Sequence, residues 1–486
     1  MLIKHILEQS KEGLIVEVSG WILNIRNQAE NCFITLTDGS TSDPFQIYIK
    51  KEASESKSIV STLSNGSSVH CCGIMVRSPA KGQEFEVLVK EDEIELLGGV
   101  EKDYPIMKSN VTFDYLRDHA HLRARTKTFS SIFRIRHRMM MATHEFYDKE
   151  GFLLLDPNII TTSECEGGAG VFQVTEKDIS IPSDLKCIDK SKNYPKDCSH
   201  SAKSGMSETY DWSKDHFGKP VYLTVSSQLQ LEALAMSMGR VYTVNKSFRS
   251  EHSTTHKHVS EFTHLEIEQC FTSLEDLMNI AERFVKFVMK SVLEHNRKDL
   301  VLLENSAKFN DALDKNVLDR YNSVMNCDFV KIRYTDAIGL MNREPKNLSK
   351  LPVYGEDVSS EHEKYLTDHF GCPVFLTHWP IAIKSFYMKQ LDDGTCESFD
   401  LLMPYRVGEL IGASQRETSY DKLVAMMDVK GVKREPLKFY TDLRKYGSCP
   451  HGGFGLGCDR LLMLLTGVHN IKDVIPFPVS YQNCMY

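Results

Sequence analysis

Residues 248–268, FRSEHSTTHKHVSEFTHLEIE, bring several histidines and carboxylates together in a short polar stretch. His252, His256 and His258 could ligate zinc, because imidazole nitrogens are common zinc ligands. The Ser-Thr-Thr composition between them is nevertheless typical of a loop, and the chain contains no HExxH motif. A metal is therefore only one of the ligands that this stretch could bind.

The same stretch could instead bind an anion. Arg249 follows the apolar run VYTVNKSF, and Lys257 with His258 begins the next run, which continues as VSEF. Two strands joined by a polar loop would aim these cations at phosphate groups. Phe262 would then offer a flat apolar face to a base. This alternative predicts a ligand that carries both phosphates and a base.

A second candidate segment, PHGGFGLGCDRLL at residues 450–462, places glycines before Asp459 and Arg460. Glycine-rich connections between a strand and a helix are common, so the glycines alone are weak evidence for a ligand. The segment is not a Walker loop, because no Gly-Lys-Ser/Thr follows. An arginine at the buried start of an apolar helix is costly unless an anion or an aromatic ring meets it. Arg460 therefore requires such a partner.

A third candidate segment, FDLLMPYRVGELIGASQRE at residues 399–417, contains Asp400 and Glu409. These carboxylates could hold Mg²⁺, which takes one or two carboxylates, phosphate oxygens and several waters. Taken alone, an acidic surface loop explains the segment equally well.

The elements that must position these segments differ along the chain. Between residues 14 and 98, apolar and polar residues alternate in five stretches, LIVEVSGWILNIR, CFITLTDGS, FQIYIK, SVHCCGIMV and EFEVLVKEDEIELLG, which predict five strands of a small barrel. The sequence near residues 100–120 has no clear hydrophobic periodicity, which predicts a linker.

Helical periodicity begins after the linker. TFSSIFRIRHRMMMATHEFYDKEG, SQLQLEALAMSMG and EDLMNIAERFVKFVMKSVLEH predict helices, the second ending at Gly239. FLLLDPNIIT predicts a strand interrupted by Pro157, which indicates an edge or an interface. Residues 176–219 are polar and poorly periodic, so we interpret much of this segment as a surface insertion.

Composition limits the class of protein. With 486 residues, 41% hydrophobic and 26% charged, the chain has the profile of a globular protein of about two domains. Its net charge of −8 requires any nucleic-acid contact to be local. Thirteen cysteines without a CxxC pair favour a reducing cytosol. No secretory signal or membrane span is evident, so we expect a soluble, cytoplasmic protein.

Taken together, the segments resemble the signature motifs of class II aminoacyl-tRNA synthetases. DKEGFLLLDP is similar to motif 1, FRSE with HKHVSEF to motif 2, and GFGLGCDR to motif 3. VSGWILNIR and FITLTDGS look like the OB-fold anticodon-binding domain of the aspartyl and asparaginyl subgroup. The asparaginyl members of this subgroup have sequences similar to three further segments, TSECEGGAGVF, PIAIKSFYMK and GELIGASQRE.

The resemblance implies an α+β fold. An N-terminal OB-fold β-barrel would occupy residues 1–103 and a linker residues 104–125. An antiparallel class II synthetase catalytic sheet flanked by helices would occupy residues 126–486 and include the polar insertion at about 176–219.

The resemblance also implies the cofactors ATP and Mg²⁺ and a set of ATP-binding residues: Arg249, Glu251, Lys257, His258, Phe262, Glu409, Gly457, Asp459 and Arg460. Arg249 and Arg460 would be catalytic, because the reaction needs positioned charge more than a protein base. Phe262 and Arg460 would sandwich adenine. Glu409 and Asp400 would carry Mg²⁺.

Two further sets of residues are implied by the resemblance. Those that bind the amino acid would be Glu166, Gln228, Arg249 and Arg416. Those that bind the anticodon would be Phe33, Gln46 and Arg26, with stacking of a base on Phe33. Burial statistics alone would place Phe33 equally well in the barrel core.

The implied activity is ATP-dependent ligation of asparagine to tRNA(Asn) by way of an asparaginyl-adenylate, in a homodimer with the segment around Pro157 at its interface. Leu231 stands where aspartyl enzymes carry a lysine, which favours asparagine, because a buried carboxylate requires a cation and an amide does not. The alternatives are an aspartyl-tRNA synthetase, an ammonia-dependent asparagine synthetase and an RNA-binding paralogue without catalysis.

The chain departs from the family pattern at four places. One extra residue separates Asp400 from Glu409, Val479 replaces an arginine, Lys257 replaces another arginine, and THWP at residues 377–380 replaces a more typical Asp-Tyr-Pro. Both motif arginines, Arg249 and Arg460, are present.

Overall fold

The computed structural model describes residues 1–51, 58–80, 83–106, 111–162, 170–176, 211–345 and 348–486. The strands of these residues are β1 (Ile15–Asn27), β2 (Asn31–Thr37), β3 (Phe45–Lys50), β4 (Ser68–Arg77), β5 (Phe85–Val89), β6 (Ile94–Gly98), β7 (Leu153–Leu154), β8 (Ile160–Thr161), β9 (Gln173–Val174), β10 (Val221–Leu223), β11 (Arg240–Phe248), β12 (Glu261–Cys270), β13 (Val330–Arg333), β14 (Val374–Thr377), β15 (Ser398–Met403), β16 (Gly408–Gln415) and β17 (His451–Gly457).

The α-helices of the same residues are α1 (Ile3–Glu8), α2 (Phe113–Asp118), α3 (Ala120–Arg123), α4 (Lys127–Lys149), α5 (Gln228–Met238), α6 (Leu274–His295), α7 (Arg297–Ser306), α8 (Val317–Asn326), α9 (Tyr334–Arg343), α10 (Ser360–Phe370), α11 (Tyr420–Val429), α12 (Lys438–Asp442) and α13 (Cys458–Thr466). Within the part of the chain that the structure describes, no helix is long and apolar enough to cross a membrane.

The chain divides into two compact units. The first unit is formed by Met1–Met140, Ser291–Asp319 and Leu465–Phe477. The second unit is formed by Met141–Lys290, Arg320–Leu464 and Pro478–Tyr486.

The N-terminal strands of the first unit form a closed barrel. The order is β1-β2-β3-β5-β4, pairing of β1 with β4 closes the barrel, and β6 is added beside β4. Alternate residues such as Val16 and Val18 point into its core. The prediction of a five-stranded barrel is confirmed. The prediction of a single strand over its last stretch is wrong, because a short 3₁₀ turn at Glu91–Glu93 separates β5 from β6.

The stretch predicted as a linker contains two short helices, α2 and α3. Phe113 and Leu116 of α2 are buried. The guanidinium of Arg117 donates two hydrogen bonds to Asp473, 2.8 Å from Nε to Oδ1 and 2.6 Å from Nη2 to Oδ2, within the same unit. Periodicity could not reveal these helices, because each is only four to six residues long.

The second unit is built on an eight-stranded sheet in the order β13-β14-β15-β16-β17-β12-β11-β7. The central pairings from β14 to β11 are antiparallel, and the two outermost pairings are parallel. The predicted antiparallel sheet is therefore confirmed. The segment around Pro157 is not one interrupted strand, since β7 joins the large sheet and β8 joins a small sheet with β10 and β9. Proline cannot donate to a ladder, which explains the break.

The three longer helices predicted from periodicity are observed as α4, α5 and α6. Helix α5 ends at Gly239, whose φ of 83° is favourable for glycine. Leu231 and Ala235 of this helix pack against Val241 of β11 and Cys270 of β12 in an apolar cluster. The helix therefore covers the strands that carry the first candidate segment.

Candidate active site

The floor of the candidate site is one face of the large sheet. Residues directly opposite each other in adjacent strands share a face. Two such rows cross β15, β16, β17 and β12 in this order: Asp400, Gly412, Gly455 and Glu266 in the first row, and Ser398, Ser414, Gly453 and Glu268 in the second. In both rows small residues occupy the middle and a glutamate lies at the β12 end.

The glycines of GGFGLG lie within β17 and not in a turn, which differs from the strand-to-helix connection considered above. Gly453, Gly455 and Gly457 alternate along the strand and therefore share one face. A Cβ atom at Gly453 would lie 2.0 Å from the carbonyl oxygen of Ile267, and one at Gly455 would lie 2.6 Å from Nε2 of His264. Neighbouring groups occupy the space that side chains would need at Gly453 and Gly455, so these two positions favour glycine, whereas a Cβ at Gly457 would make only ordinary contacts with Arg460.

Asp400 and Glu409 lie on the same face in spite of the extra residue between them. Asp400 is opposite Gly412, whereas Leu402 is opposite Glu409, so the pairing register shifts by one residue. This β-bulge accommodates the extra residue and turns Glu409 toward Asp400. The Cβ position of Gly412 is 3.2 Å from Oε1 of Glu409 and 3.9 Å from Oδ1 of Asp400.

Cations of motif 2 and motif 3 converge on His258. Burial lowers the pKa of His258, and the charges of Arg460, Arg249 and Lys257 lower it further, while Glu251 opposes them. Nε2 of His258 is 4.0 Å from Oε2 of Glu251. Three cations near one imidazole form a local positive patch that would attract an anion.

A buried group of carboxylates lies next to these cations. Oε2 of Glu363, on α10, is 4.0 Å from Nζ of Lys257. Burial and the charges of Glu409 and Asp400 raise the pKa of Glu363 to about 7, although the positive charges of Lys257 and Arg460 lower it in part. The same cleft therefore carries positive groups and hard oxygen ligands side by side.

Asp400 has a cationic partner of its own. Nζ of Lys384 donates a 2.8 Å hydrogen bond to Oδ2 of Asp400 and lies 3.9 Å from the centre of the buried Trp379 ring. Burial raises the pKa of Asp400 to about 7, while Lys384 opposes this and Glu409 reinforces it. The tryptophan belongs to THWP, so this departure from the family pattern supplies the ring beneath the lysine.

The aromatic and arginine residues proposed to hold a base are anchored to neighbouring strands. The guanidinium of Arg249 lies 5.5 Å from the centre of the Phe262 ring. Nη1 of Arg460 donates a 2.7 Å hydrogen bond to the carbonyl oxygen of Glu409. Asp459, which is buried, accepts a 2.9 Å hydrogen bond from the backbone of Thr263. The contact fixes the start of α13 against β12 beside Phe262.

Arg416 is the centre of a buried charge network. Its guanidinium binds Glu268, donates a 2.7 Å hydrogen bond to the Ser414 hydroxyl and lies 3.7 Å from Glu232. Burial opposes its charge, but Glu268 and Glu232 raise the pKa of Arg416 above its usual range. Burial raises the pKa of Glu268 to about 8, against the charge of Arg416. Two guanidinium nitrogens of Arg416 donate to this carboxylate, and such a charge-assisted pair favours its ionised form. Gln228 donates a 3.0 Å hydrogen bond to Glu232, which joins it to the network.

Glu232 is itself fully paired. Its carboxylate accepts hydrogen bonds from Arg444 at 2.9 Å and from the Tyr440 hydroxyl at 2.8 Å, and His451 lies 3.1 Å away. Burial opposes ionisation, but these partners lower the pKa of Glu232 far below its usual range. Two arginines and two carboxylates thus balance each other beside the sheet face.

The zinc alternative receives no support from the geometry. Among the described residues, no three histidine, cysteine or acidic side chains are placed to hold a metal ion together. His252 stacks on Tyr481 with 4.6 Å between ring centres.

Val479, which replaces the family's arginine, accepts a 2.8 Å hydrogen bond from the backbone of Ser260. Glu166, predicted to bind the amino acid, lies outside the described residues.

The three residues predicted for the anticodon lie on the outer face of the barrel. The guanidinium of Arg26 is 5.6 Å from the centre of the Phe33 ring, and Tyr48 is 5.3 Å from it on the other side. Gln46 donates a 3.0 Å hydrogen bond to Glu86. Phe33 thus lies on the outer surface, whereas its chain neighbours Cys32 and Ile34 form the core.

Four charged residues of the site were not predicted from the sequence: Glu268, Glu232, Lys384 and Glu363. The alternation in HLEIE could have placed Glu268 on the face of His264, and the i, i+4 spacing from Gln228 could have indicated Glu232. Lys384 and Glu363 carry no such local signal, because their partners lie 16 and 106 residues away in the chain.

An antiparallel sheet with arginines and carboxylates on one face, in a chain that begins with an OB-fold barrel, defines the architecture of a class II aminoacyl-tRNA synthetase. A family model for class II tRNA synthetases (D, K and N) matches residues 113–481, and a model for the OB-fold nucleic acid binding domain matches residues 16–97. The chain therefore belongs to the class II tRNA synthetase family of the D, K and N type.

Three similar proteins are asparaginyl members of this family. The chain is 41% identical over 476 residues to an Asparagine–tRNA ligase of Myxococcus xanthus, covering 96% of this chain and 95% of the relative. It resembles the crystal structure of asparaginyl-tRNA synthetase from Pyrococcus horikoshii complexed with asparaginyl-adenylate, at 28% identity and a TM-score of 0.79, covering 96% and 95% of the two chains. The asparaginyl-tRNA synthetase of Entamoeba histolytica in complex with asparaginyl-adenylate has a TM-score of 0.78, at 28% identity and 98% coverage of both chains.

Proposed function

We propose that this chain joins asparagine to tRNA(Asn) in two steps, the first of which consumes ATP. First, an oxygen of the asparagine α-carboxylate attacks the α-phosphorus of ATP, and the bond to pyrophosphate breaks. Second, a terminal ribose hydroxyl of the tRNA attacks the acyl carbon, loses its proton and releases AMP. The observation that supports this best is the cluster of Arg249, Lys257 and Arg460 around His258, on the face that also carries the buried Arg416 network.

In the first step the attacking group is already an anion, so the barrier lies mainly in bringing two anions together. Arg249 would bind the α-phosphate and the amino-acid carboxylate at once, because a guanidinium offers several donors in a fixed fork. Lys257, His258 and Glu251 would organise the adenine and γ-phosphate. Phe262 and Arg460 would enclose the adenine ring.

The carboxylates on the sheet face fit Mg²⁺ as the second cofactor. Glu409 and Asp400 approach the same point above Gly412 and offer hard oxygen ligands, and Glu363 lies nearby. The ion would offset the negative charge of the phosphates when bound. Asp400 would exchange its hydrogen bond from Lys384 for this role or share it, because a carboxylate has several acceptor sites.

Selection of asparagine over aspartate follows from the charge balance around Arg416. A neutral amide could donate to Glu268 and accept from Arg416, whereas an aspartate carboxylate would meet Glu268 as a like charge. Leu231 adds no cation, since its side chain is buried in the apolar cluster of α5. Gln228 would contact the same side chain, and Glu166 would pair with the substrate ammonium.

The barrel would bind the anticodon of tRNA(Asn) through Phe33, Gln46 and Arg26. A half-buried aromatic ring on the outer face of a barrel, flanked by an arginine, is a typical stacking platform for single-stranded bases. We further propose domain boundaries at residues 1–103, 104–125 and 126–486, a homodimer, and a cytoplasmic location.

The test is pyrophosphate exchange into ATP with each of the twenty amino acids, followed by charging of tRNA(Asn). We expect exchange and charging with asparagine to exceed those with every other amino acid. Exchange with aspartate alone would contradict the choice of substrate. Absence of exchange with all twenty, together with retained tRNA binding, would instead support a paralogue without catalysis.

A further inference from the structure

The outer face of the barrel carries a cavity that the functions proposed above do not use. It has a volume of about 200 Å³ and lies within the first unit. Its walls are mostly apolar and include Trp21 and Leu23 of β1, Thr35 and Thr37 of β2, and residues around Arg125. This volume is below the roughly 300–1,000 Å³ of sites for drug-sized ligands, so it suits a single flat ring system.

Trp21 gives the cavity an aromatic wall. Its side chain is 42% exposed, which is high for the largest aromatic residue, and it points outward between the buried residues Gly20 and Ile22. Thr35 and Thr37 add hydroxyl groups that can donate or accept hydrogen bonds. An accessible indole beside hydroxyls matches the combination of stacking and polar contact that unstacked bases use.

Two cations border the cavity. The guanidinium of Arg125 lies 5.9 Å from the centre of the Trp21 ring and 5.8 Å from that of Tyr104, and Lys127 is exposed. Within the described residues neither cation is paired with a carboxylate. The acid in the lining, Asp43, is already bound by Lys298 at 2.7 Å. The rim is therefore positive, which favours an anionic ligand.

The cavity continues the surface that carries Phe33. Phe33, Thr35 and Thr37 alternate along β2 and therefore share its outer face, and Trp21 is directly opposite Thr37 in the register. Four residues of a strand span about 13 Å, so the cavity lies within reach of RNA bound at Phe33. OB folds contact roughly 4–16 nucleotides each, which is more than an anticodon supplies.

We propose that this cavity binds one unstacked nucleotide of the tRNA anticodon loop outside the three anticodon bases. The base stacks on Trp21 and contacts the threonine hydroxyls, while Arg125 and Lys127 hold its phosphate groups. This inference rests on the proposed tRNA-binding function of the barrel and extends it to a fourth nucleotide.

The experiment measures the affinity of the full-length protein for an anticodon stem-loop RNA and for variants with one abasic nucleotide at each loop position. For the unmodified RNA we expect Trp21→Ala to weaken binding by about 5- to 150-fold and Trp21→Phe to weaken it much less. Ile15→Ala is the matched control, because Ile15 also points outward from β1 but lies at its other end and is 73% exposed.

The abasic series identifies the nucleotide. For the unaltered protein, removing the base at one loop position outside the anticodon should lower the affinity for the RNA. For Trp21→Ala, removing that same base should leave the affinity unchanged. Lys127→Ala should lower the salt dependence of binding by about one phosphate contact, a slope change of roughly 0.7. If Trp21 has only a structural role, removal of that base will weaken binding by the same factor in Trp21→Ala as in the unaltered protein. That result would overturn the proposal.

Phe33→Ala separates this inference from the proposed function. If Phe33→Ala weakens binding while Trp21→Ala matches the unaltered protein, the fourth-nucleotide site is wrong and anticodon binding stands. If neither change affects affinity, the barrel does not bind the loop through this face, and both ideas fail.

Discussion

Replacing Glu268 with glutamine should reduce the preference for asparagine over aspartate. Glu268 and Arg416 are both almost fully buried, and the guanidinium binds the carboxylate through two nitrogens, with 3.3 Å from Nε to Oε2. Glutamine keeps the size of the side chain but removes its charge. Arg416 retains Glu232 at 3.7 Å as a carboxylate partner, so we expect the guanidinium to stay in place.

The two substrates should respond in opposite directions. Asparagine would lose a hydrogen bond to a charged acceptor, worth about 1.5–3 kcal/mol, which corresponds to a loss of about 10- to 150-fold in kcat/KM. Aspartate would lose a like-charge neighbour. For charges about 4 Å apart at an effective dielectric constant of 20, that repulsion is about 4 kcal/mol at most. The ratio of the two kcat/KM values should therefore fall by at least about 10-fold, and further in proportion to the repulsion that aspartate no longer meets.

Pyrophosphate exchange at saturating ATP, with asparagine and aspartate varied separately, measures this ratio. Glu261→Gln is the matched control, since Glu261 lies on the same strand β12 but pairs with Lys246 at the surface, where such pairs contribute little. Equal losses for both amino acids, or an unchanged ratio with reduced thermal stability, would show that Glu268 only supports the fold and does not select the substrate.

Three further predictions follow from the sheet face. Arg460→Ala should reduce asparagine-dependent exchange by more than about 100-fold and leave tRNA affinity nearly unchanged, because its guanidinium is proposed to enclose the adenine of ATP; a similar loss of tRNA affinity would contradict this. Gly453→Ala should destabilise the protein by about 1–3 kcal/mol or more in chemical denaturation, since its Cβ would meet the Ile267 carbonyl, whereas Gly99→Ala, with open space around it, should have little effect. Glu363→Gln should flatten the pH dependence of the free energy of unfolding. The pKa of Glu363 is raised from 4.5 to about 7, so between these values the folded protein keeps a proton that the unfolded chain releases. The stability of the unaltered protein therefore falls as pH rises through this window, by at most about 3 kcal/mol. Parallel pH profiles of the two proteins would refute the last prediction.

Much of the fold could be predicted from local periodicity. Alternation in β1 to β4 gave the barrel, and the helical pattern closed by Gly239 gave α5 with its correct end. The two short helices of the predicted linker could not be found this way, because four to six residues contain barely one helical turn. The prediction of one interrupted strand around Pro157 is wrong, because two short strands of different sheets, β7 and β8, lie within one apolar stretch of sequence.

The residues of the candidate site that lie in sequence motifs could be predicted. The long-range ion pairs between them and other segments could not. Arg249, Lys257, His258 and Arg460 could be named from their segments, and they lie together in the structure. Local spacing indicates the faces of Glu268 and Glu232 but not their contact with Arg416, since Glu232 is 184 residues away in the chain and Glu268 is 148 residues away. Long-range pairing depends on sheet order, which a single sequence does not reveal.

The extra residue between Asp400 and Glu409 shows how the sheet preserves its chemistry when the chain length changes. One added residue in a strand would normally turn Glu409 to the other face, because side chains alternate with a period of two. The β-bulge at Leu410 restores the face. In the hairpin loop, Tyr405 and Arg406 adopt φ values of 63° and 67°, a conformation that costs non-glycine residues about 1–2 kcal/mol each.

That strain is offset in part by a contact outside the hairpin. The guanidinium of Arg320 lies 4.8 Å from the centre of the Tyr405 ring, and both belong to the second unit. A desolvated cation–π contact of this kind contributes up to about 2 kcal/mol, against about 2–4 kcal/mol for the two strained residues together, so it offsets part of the strain. The bulge and this anchored loop together absorb the added residue while Glu409 and Asp400 both stay beside Gly412, so the added length leaves the acidic side of the site intact.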